Sequence, residues 1–397
     1  MQTNLPAELL ATDRGQRANE ILRSCVHCGF CNATCPTYQL TGDELDGPRG
    51  RIYLIRDLLE GVDDTTRSTQ HLDRCLTCRA CETTCPSGVA YGELAEIARN
   101  ELGPKRRGAK GLMRRFVRWL VPDAERLRRM VRLGRLTRPF IPPRLKQHLP
   151  AHIGQGATGT TGHPRKVLLL NGCAQQVATA QTNEHFVSLL DQHGIGVDVA
   201  TNEGCCGALD LHLGDDAQAL ARMRANIDAL SPYLGECEAI ISTASGCGVT
   251  LKDYGRLLAH DLEYADAAAK LSDLLVDAVE YLDRQRLPLQ KQSDVHRVAW
   301  HPPCSLQHGM QITGVVERLL TKAGYELVPV KDSHLCCGSA GSYAMLEPKL
   351  SDALGHRKVT ALLKGEPDII ATANVGCQGH IAHRTGVPVV HWVELLS

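Results

Sequence analysis

Apolar positions change their spacing along the chain, and each change marks a different kind of structure. Behind Gly47-Pro48-Arg49-Gly50-Arg51, the residues Ile52, Ile55, Leu58 and Leu59 recur at helical intervals. Glu93 to Leu102 also reads as helix, so residues 1–104 are expected to form a helical unit. Residues 105–146 keep a helical period, with Leu112, Phe116, Trp119 and Leu120 on one face and Arg114, Arg115 and Arg118 nearby. Residues 147–164, rich in Gly and Thr, read as a linker. From Arg165 the pattern alternates. Short apolar runs at 166–170, 195–200 and 239–243 predict strands, and the text at 179–193 and 217–234 predicts helices between them. That order implies βαβ units around a parallel sheet.

The alternating half is written twice. Cys173 recurs as Cys304, and Cys205-Cys206-Gly207 as Cys336-Cys337-Gly338, both 131 residues on; Gly246-Cys247 recurs as Gly376-Cys377, 130 residues on. Asp277-Ala278-Val279-Glu280-Tyr281-Leu282 corresponds to His391-Trp392-Val393-Glu394-Leu395-Leu396. Two copies of one domain are expected, over residues 165–290 and 291–397.

The cysteines sharpen this picture. Cys25, Cys28, Cys31 and Cys35, followed by Pro36, have the C-x2-C-x2-C-x3-C-P spacing of a ferredoxin [4Fe–4S] run, and Cys75, Cys78, Cys81, Cys85 and Pro86 repeat it 50 residues later. Three thiolates two residues apart wrap one cluster, while the fourth reaches across to the other. Cluster 1 is therefore expected on Cys25, Cys28, Cys31 and Cys85, and cluster 2 on Cys75, Cys78, Cys81 and Cys35. Zinc also takes thiolates, but two complete copies with the trailing proline favour clusters. The second half offers Cys173, Cys205, Cys206, Cys247, Cys304, Cys336, Cys337 and Cys377 for at least one further iron–sulfur cluster. These follow predicted strands or adjoin Gly207, Gly246, Gly338 and Gly376, which would let backbone approach a bulky inorganic ligand. His301, His308 and His334 stand near them as candidates to hydrogen-bond sulfur or move a proton. Of seventeen cysteines only Cys237 falls outside both patterns, and it reads as structural.

Charge adds one local feature. The chain balances 44 basic against 44 acidic residues, which gives no pull toward nucleic acid. Within 105–146, however, fifteen Lys and Arg meet only Asp123 and Glu125. A basic amphipathic segment of this kind predicts an anionic membrane surface or a partner subunit. Gly154 to Gly159 matches G-x-G-x-x-G, but no strand precedes it and no helix follows, so it is not read as a dinucleotide site. No flavin or nicotinamide fingerprint, phosphate loop or nucleophile elbow is found. Met1 to Ser24 lacks the apolar core of a signal peptide, so a cytoplasmic setting is expected, where thiolates stay reduced.

The double ferredoxin run, Pro48-Arg49-Gly50-Arg51-Ile52-Tyr53 and the two Cys-Cys-Gly domains together resemble the iron–sulfur subunit of bacterial glycolate oxidase. Subunits of anaerobic glycerol-3-phosphate dehydrogenase, D-lactate dehydrogenases and heterodisulfide reductases share the layout. The wider family often ends each Cys-Cys-Gly domain with C-x2-C; here Ala244 and Asn374 replace the first of those cysteines, which argues against thiol–disulfide chemistry. The resemblance implies an α+β multidomain fold, with an N-terminal helical ferredoxin module followed by two homologous α/β cysteine-rich domains. It implies no catalytic residue in this chain, a separate flavin-containing dehydrogenase subunit as electron donor, and a quinone or other membrane acceptor.

Overall fold

The computed structural model describes residues 1–397 apart from 63–64, 104–107, 141–148, 151, 201 and 293. Parts of the basic segment and of the linker therefore lie outside the described residues.

The N-terminal unit is helical throughout. Pro48 opens the helix Pro48–Leu59, whose first turn has no use for the amide that proline lacks. Its inner face buries Arg51, Ile52, Ile55 and Leu59 against Leu22, Leu72, Leu94 and Ala98 from the helices Asp13–Ser24, Thr65–Asp73 and Tyr91–Leu102.

Two four-stranded parallel sheets form the rest. The first contains β1 (Arg165–Leu169), β2 (Ile195–Val199), β3 (Ile240–Ser242) and β4 (Leu275–Asp277) in the order β2-β1-β3-β4. The second repeats it as β6-β5-β7-β8, from β5 (Arg297–His301), β6 (Glu326–Val328), β7 (Ile369–Thr372) and β8 (Val389–His391). The corresponding ends match in detail. Asp277 caps the helix Ala278–Gln285 through the Val279 amide at 2.9 Å, and His391 Nδ1 accepts the Val393 amide at 3.3 Å. One apolar core runs through both sheets, from Val167, Leu169 and Phe186 to Trp300, Leu320 and Trp392. His391 Nε2 meets the Thr243 carbonyl at 2.9 Å across the join, and residues 290 and 397 exchange backbone hydrogen bonds of 2.9 Å. The G-x-G-x-x-G stretch lies in irregular chain along β2, where the Thr160 amide donates to the Val197 carbonyl at 2.8 Å. Among the described residues no strand leads into it.

The helices Gly108–Leu120 and Ala124–Leu136 invert the usual arrangement of a surface helix. Leu112, Phe116 and Trp119 are exposed, whereas Arg114 is buried and paired with Asp73 at 2.6 Å. Arg118 reaches Asp210 at 2.6 Å and also pairs with Asp215. Of the three arginines expected beside the apolar face as lipid contacts, only Arg115 is exposed. Arg114 and Arg118 instead pin the helix to the ferredoxin unit and the first sheet domain. No helix among the described residues is long and apolar enough to cross a membrane.

Candidate metal centres

Cys25 ends the helix Asp13–Ser24, and the chain then turns through His27 (φ 56°) and Gly29 (φ 83°) into the short helix Phe30–Ala33. The second run repeats this backbone. Thr77 (φ 53°) and Arg79 (φ 59°) take the same two left-handed positions before Ala80–Thr84. The loop curls at each, so three thiols spaced by two residues face one hollow. Arg79 holds a conformation that costs a side chain and favours glycine; its guanidinium is anchored on Glu82 at 2.8 Å.

Each fourth cysteine lies with the other run. Cys85 lines the hollow of Cys25, Cys28 and Cys31, and Cys35 lines that of Cys75, Cys78 and Cys81. Thr34 Oγ1 donates to the Ala80 carbonyl at 3.2 Å and lies 3.1 Å from Thr84 Oγ1, which ties the two runs together. Burial and the neighbouring Cys25, Cys85 and Cys28 push the Cys31 thiol up to about 11. Burial, then Cys78 and Cys75, drive Cys81 well up. Thiols that resist ionising together suit a cationic core, which offsets their mutual repulsion. The donor sets therefore fit iron–sulfur clusters, and all seventeen cysteines are free of disulfides.

A buried cation serves one set. Arg51 is 1% exposed; its Nε donates to the His71 carbonyl at 2.8 Å, Nη2 to Thr37 at 3.1 Å and Nη1 to Cys35 Sγ at 4.0 Å. Burial opposes its charge, but Cys75, Tyr91, Cys35 and Asp46 outweigh that and hold its pKa above the ordinary value. Asp46 is itself held by His71 at 2.8 Å and Arg74 at 2.9 Å. Arg49 behaves differently, pairing with Glu44 at 2.6 Å near the surface. The P-R-G-R spacing did not separate the two roles, because helix phase decides them.

The eight repeat cysteines follow the carboxyl ends of β1, β2 and β3 and of β5, β6 and β7, and all line one cavity of about 670 Å³. Cys75 and Cys78 of the ferredoxin unit line it too. In the first repeat the thiols form a row. Cys205 lies between Cys173 and Cys206 and is held low by them, while Cys205 and burial push Cys173 and Cys206 up. Cys247, next in the row, also raises Cys206. The second row runs Cys304, Cys336, Cys337, Cys377, and Cys78 of the ferredoxin unit packs in one cluster with Cys304. Cys304 lowers Cys336, but Cys337 and burial outweigh it and push that thiol up to about 12. These residues too fit a metal cluster. Such a group, when bound, supplies one-electron storage; the chain fixes the thiols, screens their charge and excludes water.

The four glycines divide: Gly246 and Gly376 line the cavity, whereas Gly207 and Gly338 lie outside its lining. Gly207 (φ 87°) and Gly338 (φ 90°) take left-handed turns, and a Cβ there would meet Ala219 O at 3.0 Å or Ser351 O at 2.7 Å. At Gly246 and Gly376 it would meet Asn374 Nδ2 at 2.8 Å and Ser339 Oγ at 2.9 Å. Asn374 and Ser339 line the cavity beside Gly246 and Gly376. Asn374 accepts the Gly376 amide at 2.9 Å and reaches Ser305 Oγ at 3.3 Å. His308 bridges to the ferredoxin unit through Thr83 at 2.9 Å, and His334 is only half-buried. Lys358, whose role the sequence pattern did not reveal, is a buried ammonium near Cys304, Cys336, Cys337 and Cys377, donating to the Asp332 carbonyl at 2.9 Å. Cys237 lies outside the cavity lining.

Comparison with known proteins agrees with this architecture. A 4Fe-4S dicluster domain model matches residues 21–89, and a cysteine-rich domain model matches residues 167–252 and 298–382. The glycolate oxidase iron-sulfur subunit of Escherichia coli (strain K12) is 47% identical, over all of this chain and 98% of that protein. The chain belongs to the glycolate oxidase iron–sulfur subunit family. It contains multiple iron–sulfur clusters, as that membership and the two domain types require. A Bacillus subtilis (strain 168) protein described as "Probable glycolate oxidase iron-sulfur subunit" is 31% identical over 90% of this chain and 87% of its own length. A crystal structure of a hypothetical protein from Helicobacter pylori shares the fold, with a TM-score of 0.52 at 11% identity over 96% of this chain and 71% of that one.

Proposed function

We propose that this chain relays electrons within a glycolate oxidase complex, from a separate flavin subunit that oxidises glycolate to glyoxylate toward a membrane quinone. Cluster 1 is held by Cys25, Cys28, Cys31 and Cys85, cluster 2 by Cys75, Cys78, Cys81 and Cys35, and at least one further cluster by the eight repeat cysteines. The units are residues 1–104, 105–164, 165–290 and 291–397. The observation that carries the relay is the shared cavity: Cys75 and Cys78 of the ferredoxin unit line it with the eight repeat cysteines, and Cys78 packs in one cluster with Cys304. It supports direct electronic contact between the ferredoxin unit and the second sheet domain. At the far end of the thiol path Cys28 is exposed, between exposed Val26 and Phe30, which supports docking of the flavin subunit there.

The helix Gly108–Leu120 supports a membrane exit. Val117 and Val121 line the cavity, while Leu112, Phe116 and Trp119 point outward with exposed Arg115. A lipid surface against that face would bring quinone beside the cavity wall. The test is reconstitution of this chain with its flavin subunits on anionic vesicles containing quinone, with glycolate, D-lactate and glycerol 3-phosphate compared. Glycolate-dependent quinone reduction is expected. Preference for D-lactate or glycerol 3-phosphate would reassign the complex. Glycolate oxidation by this chain alone with a dye acceptor would overturn the relay.

A further inference from the structure

We propose that His301 is a metal ligand of the second cysteine-rich domain, binding iron of that domain's cluster together with Cys337 and Cys377. His301 ends β5 and is 1% exposed. Neither of its ring nitrogens has a hydrogen-bond partner. A ring nitrogen of His301 and the sulfurs of Cys337 and Cys377 lie within 4.8 Å of one another, all buried. A buried imidazole with two unpartnered nitrogens is costly, and nearly all buried polar groups find partners. Beside two thiols, a metal ion is the partner that removes that cost, because neutral imidazole is a ready ligand for iron.

The repeat makes the point more specific. The 131-residue offset that relates Cys304 to Cys173 relates His301 to Leu170. Strand pairing keeps the same offset, since Leu169 sits opposite Ile241 on β3 and Trp300 opposite Ala371 on β7. The first domain thus has a hydrocarbon where the second has a nitrogen donor, so its thiols have no histidine partner at that point. Two domains with one fold and one cysteine pattern would hold chemically unequal centres. Imidazole in place of thiolate raises a cluster's potential. The second domain, which touches Cys78, would be the more readily reduced of the two.

This rests on the cluster reading of the C-terminal half, and the experiment separates the two. The full chain, purified without oxygen and labelled with 15N-histidine, is reduced and examined by pulsed electron paramagnetic resonance, alongside iron and acid-labile sulfide counts. A strong, directly coordinated nitrogen coupling is expected, absent in His301→Leu and in His301→Cys. His301→Cys should retain the wild-type iron count and shift the potential downward. His301→Leu should lose iron from one centre only. If iron beyond the two ferredoxin clusters is present but no strong nitrogen coupling appears, and His301→Leu keeps its iron and potential, the ligand assignment is wrong while the cluster reading stands. If cysteine replacements across the C-terminal half leave the iron count unchanged, or zinc is found there, both fall.

Discussion

Arg51 offers the sharpest test of how the ferredoxin cysteines are shared. It is a buried cation whose sulfur neighbours, Cys35 and Cys75, come from different runs. With crossed ligation both belong to cluster 2. A unit charge 4.0 Å from Cys35 Sγ interacts by about 4 kcal/mol at an effective dielectric constant near 20. An added electron spreads over the whole cluster, so about half of that, roughly 2 kcal/mol or about 90 mV for one electron, is the expected effect. Replacing Arg51 by Gln removes a positive charge that favours reduction, so the potential of one cluster should fall by about that amount. Arg51→Lys keeps the charge and should shift it far less, even though Lys cannot reproduce the bonds to His71 and Thr37. Asp46 keeps His71 and Arg74 in either variant, which limits the damage to folding. The assay is a redox titration of the full chain followed by electron paramagnetic resonance. Equal shifts in both clusters would mean that Cys35 and Cys75 serve different centres. An unchanged potential in Arg51→Gln would refute the electrostatic argument itself.

Replacing Cys85 by Ala should abolish or convert the cluster of Cys25, Cys28 and Cys31, and loss confined to the cluster of Cys75, Cys78 and Cys81, read by the same spectroscopy, would contradict the crossing. Reversing the exposed Arg115, Arg132 and Arg138 to Glu should weaken sedimentation with anionic vesicles by at least about 100-fold at low salt, since each surface cation contributes roughly 1 kcal/mol; unchanged sedimentation would favour a protein partner for that face. Asp277, fully buried at the end of β4, has its carboxyl pushed up to about 7 by burial. A raised carboxyl pKa stabilises the fold below the unfolded value and loses that contribution as pH rises through about 7. Asp277→Asn, which keeps a capping side chain, should therefore gain about 2 kcal/mol relative to wild type between about pH 5.5 and about pH 8, measured by urea unfolding; a constant difference would show that Asp277 does not titrate there.

Periodicity located β1, β2 and β3 and the helix after β1 to within a residue or two, because βαβ units have short, punctuated apolar runs. The predicted 195–200 became Ile195–Val199, and 179–193 became Ala180–Gln192. The cysteine runs were legible because cluster ligation imposes spacing within one short loop. What connects distant segments was not. Nothing local to Cys78 announces Cys304, and nothing in the sequence around Arg114 points to Asp73. The amphipathic pattern of 108–120 marked an apolar face but gave no sign that Leu112, Phe116 and Trp119 turn outward, since the ion pairs of Arg114 and Arg118 join buried Val117 in holding the helix down. Of the glycines beside the cysteines, Gly207 and Gly338 answer a left-handed turn, while Gly246 and Gly376 line the cavity itself.

The inverted helix has a consequence for the life of the free subunit. Its arginine pins to Asp73, Asp210 and Asp215 exist before any lipid or partner arrives, so the outward row of Leu112, Phe116 and Trp119 is already formed on the newly folded chain. The helix backbone needs no ordering at docking and only its exposed side chains do, which favours rapid capture. The same readiness leaves a sticky surface open throughout the interval between synthesis and assembly. An orphan copy would be prone to self-association and proteolytic triage, and the amount of subunit a cell retains would then track the supply of whatever covers that face.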